Sequence, residues 1–147
     1  MKKIIGVIGG SFAEQKYLDY AFEVGRLLAK REVIVICGGL GGVMESVCRG
    51  VAQEGGLSLG ILPADITMAN EFVTIPIATG MGSARNKIII ETGRAFIAIA
   101  GAYGTLGEIA MALDSHKKVI GLGTWEIPGV IMANSPQEAV ELAVEGL

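Results

Sequence analysis

An apolar run, a glycine turn and a helix start follow one another without interruption in Phe96-Ile97-Ala98-Ile99-Ala100-Gly101-Ala102-Tyr103-Gly104-Thr105-Leu106-Gly107-Glu108. The run is short and rich in isoleucine, which suits a strand covered on both faces. Gly101 and Gly104 let the backbone turn sharply and leave no Cβ in the way of a ligand. Thr105 is placed to cap the helix, and Glu108 three residues on completes a Thr-x-x-Glu capping box. A helix that begins at such a turn offers free N–H groups and a positive dipole end, a seat for phosphate.

Two similar junctions lie upstream. Lys3-Ile4-Ile5-Gly6-Val7-Ile8 runs into Gly9-Gly10-Ser11, and a helical pattern starts near Ala13, with Leu18, Ala21, Val24 and Leu28 facing the sheet. Val33-Ile34-Val35-Ile36-Cys37 runs into Gly38-Gly39-Leu40-Gly41-Gly42, and Val43, Val47 and Val51 follow at helical spacing up to Gly55-Gly56. Three strand–glycine–helix junctions in 147 residues predict one doubly wound α/β domain over residues 1–147. It has a mostly parallel sheet of six or seven strands and helices on both faces. Ligands of such sheets lie beyond the carboxyl ends of the strands, at the switch in strand order, so the three tips are expected around one site.

The rest of the chain continues the alternation. Strands are expected at 57–62, stopped by Pro63, and at 72–75, ending at Pro76. A helix from about Ala84 to Thr92 stops at Gly93, strands follow at 119–122 and 130–132, and Ser135-Pro136-Gln137-Glu138 opens the last helix with cap, proline and capping-box glutamate. The expected strand order is near 3-2-1-4-5-6-7, with right-handed crossovers.

Composition narrows the function. Hydrophobic residues make up 51% of the chain and aromatics only 5%, so the excess is aliphatic, as in a buried parallel sheet. Part of it is assigned to a subunit interface, with a homodimer or higher homo-oligomer expected, joined through helices rather than sheet edges. Every apolar run is too short to span a membrane, and a cytoplasmic location is expected. A net charge of −3 provides no basic face for nucleic acid. Cys37 and Cys48 lack metal-site spacing and read as small core residues, so no metal site is expected. His116 falls in the last turn of the helix begun at Thr105, where with Lys117 and Lys118 it complements the dipole. No required cofactor shows in the sequence. Pyridoxal-phosphate chemistry in particular needs a Schiff-base lysine with a tuning partner, a constellation this chain lacks.

Gly-Gly-Leu-Gly-Gly-Val-Met from Gly38, Gly60-Ile61-Leu62-Pro63, Arg85 and Gly101-x-x-Gly104-Thr105-x-x-Glu108 resemble the LOG-like proteins. This Rossmann-type family has long been labelled "possible lysine decarboxylase" and carries the motif Pro-Gly-Gly-x-Gly-Thr-x-x-Glu. The chain resembles most its short branch, which includes molybdenum-cofactor-carrier-like proteins. The resemblance implies a phosphoribohydrolase that splits a nucleoside 5′-monophosphate into base and ribose 5-phosphate, with Arg85 and Glu108 as the essential pair. Its other implication is a non-catalytic carrier or sensor of a nucleotide or pterin cofactor. Ala100 replaces the motif proline, Ala102 its second glycine, Asn86 the lysine after the arginine, and Gly107 a first glutamate.

The chemistry can be weighed on the residues alone. Cleaving an N-glycosidic bond builds positive charge on ribose, which a carboxylate stabilises while it orients water. In the first helical turn Glu108 is expected ionised, fit for a stabiliser or base rather than a general acid. A guanidinium at Arg85 suits a phosphate or Glu108 itself. From spacing alone the plainer reading, a capping Glu108 and a surface-paired Arg85, is the stronger; the resemblance makes both site residues. Gly9, Gly10, Ser11, Gly38, Gly39, Gly41, Gly42, Gly101, Gly104 and Thr105 are the expected phosphate or nucleotide seats. Asn86 and Tyr103 are candidate ribose and base contacts. Glu45 reads as a solvated helical glutamate.

Overall fold

The computed structural model describes all 147 residues. Its seven strands are β1 (Ile4–Ile8), β2 (Ile34–Cys37), β3 (Ser58–Leu62), β4 (Ile75–Ala78), β5 (Ala95–Ile99), β6 (Lys118–Leu122) and β7 (Val130–Met132). The helices are α1 (Gln15–Lys30), α2 (Val43–Gln53), α3 (Asn86–Thr92), α4 (Tyr103–Asp114) and α5 (Pro136–Val144). All seven strands pair in parallel in the order β4-β3-β2-β1-β5-β6-β7. The switch in strand order falls between β1 and β5. Because β2, β1 and β5 are parallel neighbours, the tips after Cys37, Ile8 and Ile99 share one edge of the sheet.

Alternation along the strands builds a core on each face. Ile5, Val7, Val35, Cys37, Ile97, Ile99, Ile120 and Leu122 meet α1, α2 and α5. Ile8, Ile36, Ile61, Phe96, Ala98 and Val119 meet Ile89 and Ile90 of α3 and Ile109 and Ala112 of α4. Gly6 has no side chain because the Phe96 ring fills that space; a Cβ there would collide with it. The expected role of the cysteines holds: both are buried, with their sulfurs 3.6 Å apart.

The fourth strand corrects the expected order. It runs over Ile75–Ala78 rather than 72–75, includes Pro76, and lies at the outer edge beside β3. Proline cannot donate to a ladder and is confined to edges. The inner place beside β1 goes to β5, every residue of which is buried. Ile75 and Ile77 stay exposed, and with Ile66, Met68 and Met81 they leave large apolar side chains along segment 66–81.

The last helix opens as its sequence announces, with Ser135 accepting from the Glu138 N–H and the Glu138 carboxylate accepting from the Asn134 N–H. Gly55 ends α2 in the left-handed region (φ 69°). The basic cluster at 116–118 acts differently from expectation. The helix begun at Tyr103 ends at Asp114, and His116 sits beyond it in a left-handed turn. Lys117 donates to the carbonyls of Glu91 and Gly93 at the end of α3, and Lys118 to those of Leu142 and Glu145 at the end of α5. Each lysine thus closes a helix packed nearby rather than its own. No helix is long and apolar enough to cross a membrane.

Candidate functional site

A cavity of about 260 Å³ opens where the tips of β1, β2 and β5 converge. Its wall comprises Gly9, Gly10 and Ser11 from the first tip, Gly38, Leu40 and Met44 from the second, and Ala102, Gly104, Thr105 and Glu108 from the third, with Val7 and Arg85. Of the residues expected from sequence, Gly9, Gly10, Ser11, Gly38, Arg85, Gly104, Thr105 and Glu108 therefore share one wall. Val7, Leu40, Met44 and Ala102 were not anticipated. The alternation of β1 and the helical phase of α2 carry the signal for Val7 and Met44; nothing local marks Leu40 or Ala102.

The other expected glycines shape the tips from behind. Gly42 (φ 62°) precedes α2, and a Cβ there would strike the Gly10 carbonyl, which accepts from the Val43 N–H at 3.0 Å. The first two tips are thereby locked together. Gly39 packs on Gly60, Gly101 (φ 97°) on Thr105, and Gly41 stands in open space near Ser11. None of the four lines the cavity.

The third tip departs from expectation. α4 begins at Tyr103, and its N-cap, Ala102, has no side chain that could bond the first turn. Thr105 is consequently inside the first turn, not before it, and Glu108 lies one turn further on. No capping box forms. Thr105 instead is only 3% exposed and contributes to the cavity wall. The tip gains its turn from Ala100 (φ 48°) and Gly101, and the Ala100 carbonyl accepts from the Thr124 hydroxyl at 2.5 Å. Proline, whose φ is held near −65°, is excluded from this backbone. At the first tip, α1 starts at Gln15, so Ser11 lies in the loop four residues ahead of the helix.

Arg85 closes a 3-10 turn (Gly82–Arg85) just before α3 and is 8% exposed. Its Nε donates to the Ile61 carbonyl at 2.7 Å, and its Nη1 donates to the Asn86 side-chain oxygen. Asn86 therefore steadies Arg85 rather than lining the cavity. Nη2 passes over Gly38, where a Cβ would approach it to 2.8 Å. Burial lowers the arginine pKa, and Glu108 opposes that shift. Glu108 is pushed up to about 7 by burial, with Arg85 pulling it back. The expectation that the helix start favours an ionised Glu108 is thus corrected: it lies beyond the first turn, and burial, which outweighs Arg85, pushes it up to about 7. Tyr103, between the wall residues Ala102 and Gly104, is exposed, stacks on Trp125 and does not itself line the cavity. Glu45 lies in the first turn of α2 and stays outside the cavity wall. No cluster of three or more His, Cys, Asp or Glu is gathered to hold a metal.

Sheet order and cavity together define a doubly wound α/β protein with a ligand crevice at its switch point. Residues 2–145 match the SLOG cluster4 family, to which the chain belongs. It is 42% identical to an uncharacterized protein of Archaeoglobus fulgidus over 95% of this chain and 93% of that one. It is 30% identical to the probable cytokinin riboside 5′-monophosphate phosphoribohydrolase LOGL9 of Oryza sativa over 82% of this chain, but spans only 58% of that relative's length. Among solved structures, it is similar to the molybdenum cofactor binding protein of Rippkaea orientalis, with 35% identity, TM-score 0.92, and coverage of 97% of this chain and 95% of that one.

Proposed function

We propose that the crevice takes a nucleoside 5′-monophosphate and that the chain is a phosphoribohydrolase, releasing the base and ribose 5-phosphate. The observation that carries this reading is the meeting of Arg85 and Glu108 in one cavity beside the N-termini of α2 and α4. Phosphate would sit at the helix ends, where N–H groups and dipoles favour an anion. Arg85 Nη2, left over by the bonds of Nε and Nη1, would complete its charge. As the C1′–N bond breaks, the departing base takes the electron pair and then a proton, while water attacks C1′. Glu108 as carboxylate stabilises the positive charge on ribose and accepts the proton of the water. A pKa near 7 suits that exchange, since both forms are available at the working pH.

A second reading has its own support: a non-catalytic carrier or sensor that holds a nucleotide or pterin cofactor in the same crevice. The likeness to the molybdenum cofactor binding protein extends over nearly the whole of both chains. In addition, Glu108 is the single carboxylate in the cavity wall. Incubation with a panel of nucleoside 5′-monophosphates decides between them. Release of free base, lost in Glu108→Gln, supports the hydrolase. Saturable binding without release supports the carrier, and a chain that neither binds nor cleaves any of the panel refutes the hydrolase and the nucleotide carrier, leaving the pterin carrier to a titration with a pterin phosphate.

A further inference from the structure

Tyr103 is the first residue of α4 and is 81% exposed, so its ring contributes little to the core. It is nonetheless held. The ring stacks on Trp125 with centroids 6.0 Å apart and planes at 28°, within the range of offset stacking. Trp125 packs in turn against the core beneath α3 and α4. Its indole N–H donates to the Ala102 carbonyl at 3.1 Å, tying the ring to the cavity lip.

The neighbours of Tyr103 in sequence, Ala102 and Gly104, both belong to the cavity wall. A Cβ on Gly104 would meet nothing within 4 Å, so the approach across the first turn of α4 is open. The cavity, about 260 Å³, is smaller than the roughly 300–1,000 Å³ that encloses a whole drug-sized ligand. It accommodates a sugar phosphate and leaves any attached ring at the mouth. The residue between the wall residues Ala102 and Gly104 carries an exposed aromatic ring, backed by a second, hydrogen-bonded one.

We propose that Tyr103, backed by Trp125, forms a stacking subsite for a planar nitrogen heterocycle whose phosphate is held deeper in the crevice. This subsite rests on the phosphate-ester reading given above, and holds for hydrolase and carrier alike. Because every purine or pterin presents a π-face, it selects for the presence of a ring rather than for its edge.

Trp125 is the single tryptophan of the chain, so its fluorescence reads the stack directly. Adenosine and guanosine 5′-monophosphate are titrated against ribose 5-phosphate, which keeps sugar and phosphate but lacks the ring. Emission is read in the first seconds after mixing, and affinities are taken by calorimetry. At least one nucleotide should change Trp125 emission saturably and bind about 10-fold more tightly than ribose 5-phosphate, the order expected for one stacked ring. Tyr103→Ala should reduce nucleotide affinity to that of ribose 5-phosphate and leave ribose 5-phosphate itself unchanged. Tyr103→Phe, which keeps the ring, should behave as the parent and shows that the site still folds. Unchanged nucleotide affinity in Tyr103→Ala, an equal loss for both compound types, or silent Trp125 emission overturns the subsite while leaving the phosphate seat intact. Failure of all three compounds to bind the parent overturns subsite and phosphate reading together.

Discussion

Arg85 and Glu108 face the same cavity without forming an ion pair; the three ion pairs of the chain, Arg26 with Glu23 and Glu54 and Lys87 with Glu91, lie elsewhere. Arg85 is held by the Ile61 carbonyl and the Asn86 side chain, and Glu108 is left partly desolvated with a pKa pushed up to about 7. Each charge is thereby kept available for something other than its neighbour.

The raised carboxyl sets a pH dependence of stability. Unfolded, Glu108 titrates near 4.5; folded, near 7. Between those values the folded chain binds the extra proton, so stability from this group is full below pH 4.5 and is lost as pH rises through 7. Glu108→Gln keeps the shape and removes the charge. Its melting temperature should match the parent at pH 4 and exceed it at pH 8, by the equivalent of ~1–3 kcal/mol. With no capping box at this position, no opposing loss is expected. A variant less stable than the parent at pH 8 would refute the buried carboxyl.

Binding of phosphate should depend on how Arg85 is aimed. Arg85→Ala removes a charge-assisted bond worth ~1.5–3 kcal/mol and should weaken ribose 5-phosphate binding about 10- to 150-fold. Gly38→Ala brings a methyl to 2.8 Å from both Arg85 Nη2 and Met44 Sδ. Both are ends of flexible side chains, so the chain should fold while the guanidinium is displaced and binding falls. Calorimetry on Gly38→Ala showing parental affinity would sink that link.

The third tip offers a backbone test. An L-residue in the left-handed region costs roughly 1–2 kcal/mol, which glycine avoids, less its own entropy loss. Ala100→Gly should therefore raise the melting temperature by about 2–4 °C. Ala100→Pro needs φ near −65° and forfeits the Ala100 N–H bond to the Leu122 carbonyl (3.2 Å). It should destabilise by ~3 kcal/mol or more. Equal melting of parent and proline variant would contradict the tip seen here.

Assembly can be read by light scattering. Exposed Ile66, Met68, Ile75, Ile77 and Met81 form apolar surface of the kind that an interface covers. At least a homodimer is expected at micromolar concentration, and Ile75→Lys with Ile77→Lys should shift it toward monomer if this edge is the contact. A monomeric parent would remove the proposal; an unshifted dimer would move the contact to the helices.

Much of this molecule was determined by local sequence. Apolar runs ended by Gly9-Gly10, Gly38-Gly39 and Gly101 specify strand, turn and helix within a few residues, and both partners of each junction are neighbours in the chain. From that, the parallel α/β class and the shared edge of the three tips follow. Tertiary structure decided what depends on distant competition. Pro76 reads as a strand terminator by local rules, yet it lies within β4 because an edge needs no inward N–H, and β5 outcompetes β4 for the place beside β1 by being buried on both faces. Thr105 and Glu108 have capping-box spacing, but the left-handed turn at Ala100 and Gly101 lets α4 start earlier, so one enters the cavity wall and the other loses water. Spacing acts within one helical turn; the placing of Arg85 over Gly38, and of Tyr103 on Trp125, arises only when segments far apart in sequence are packed against the same sheet.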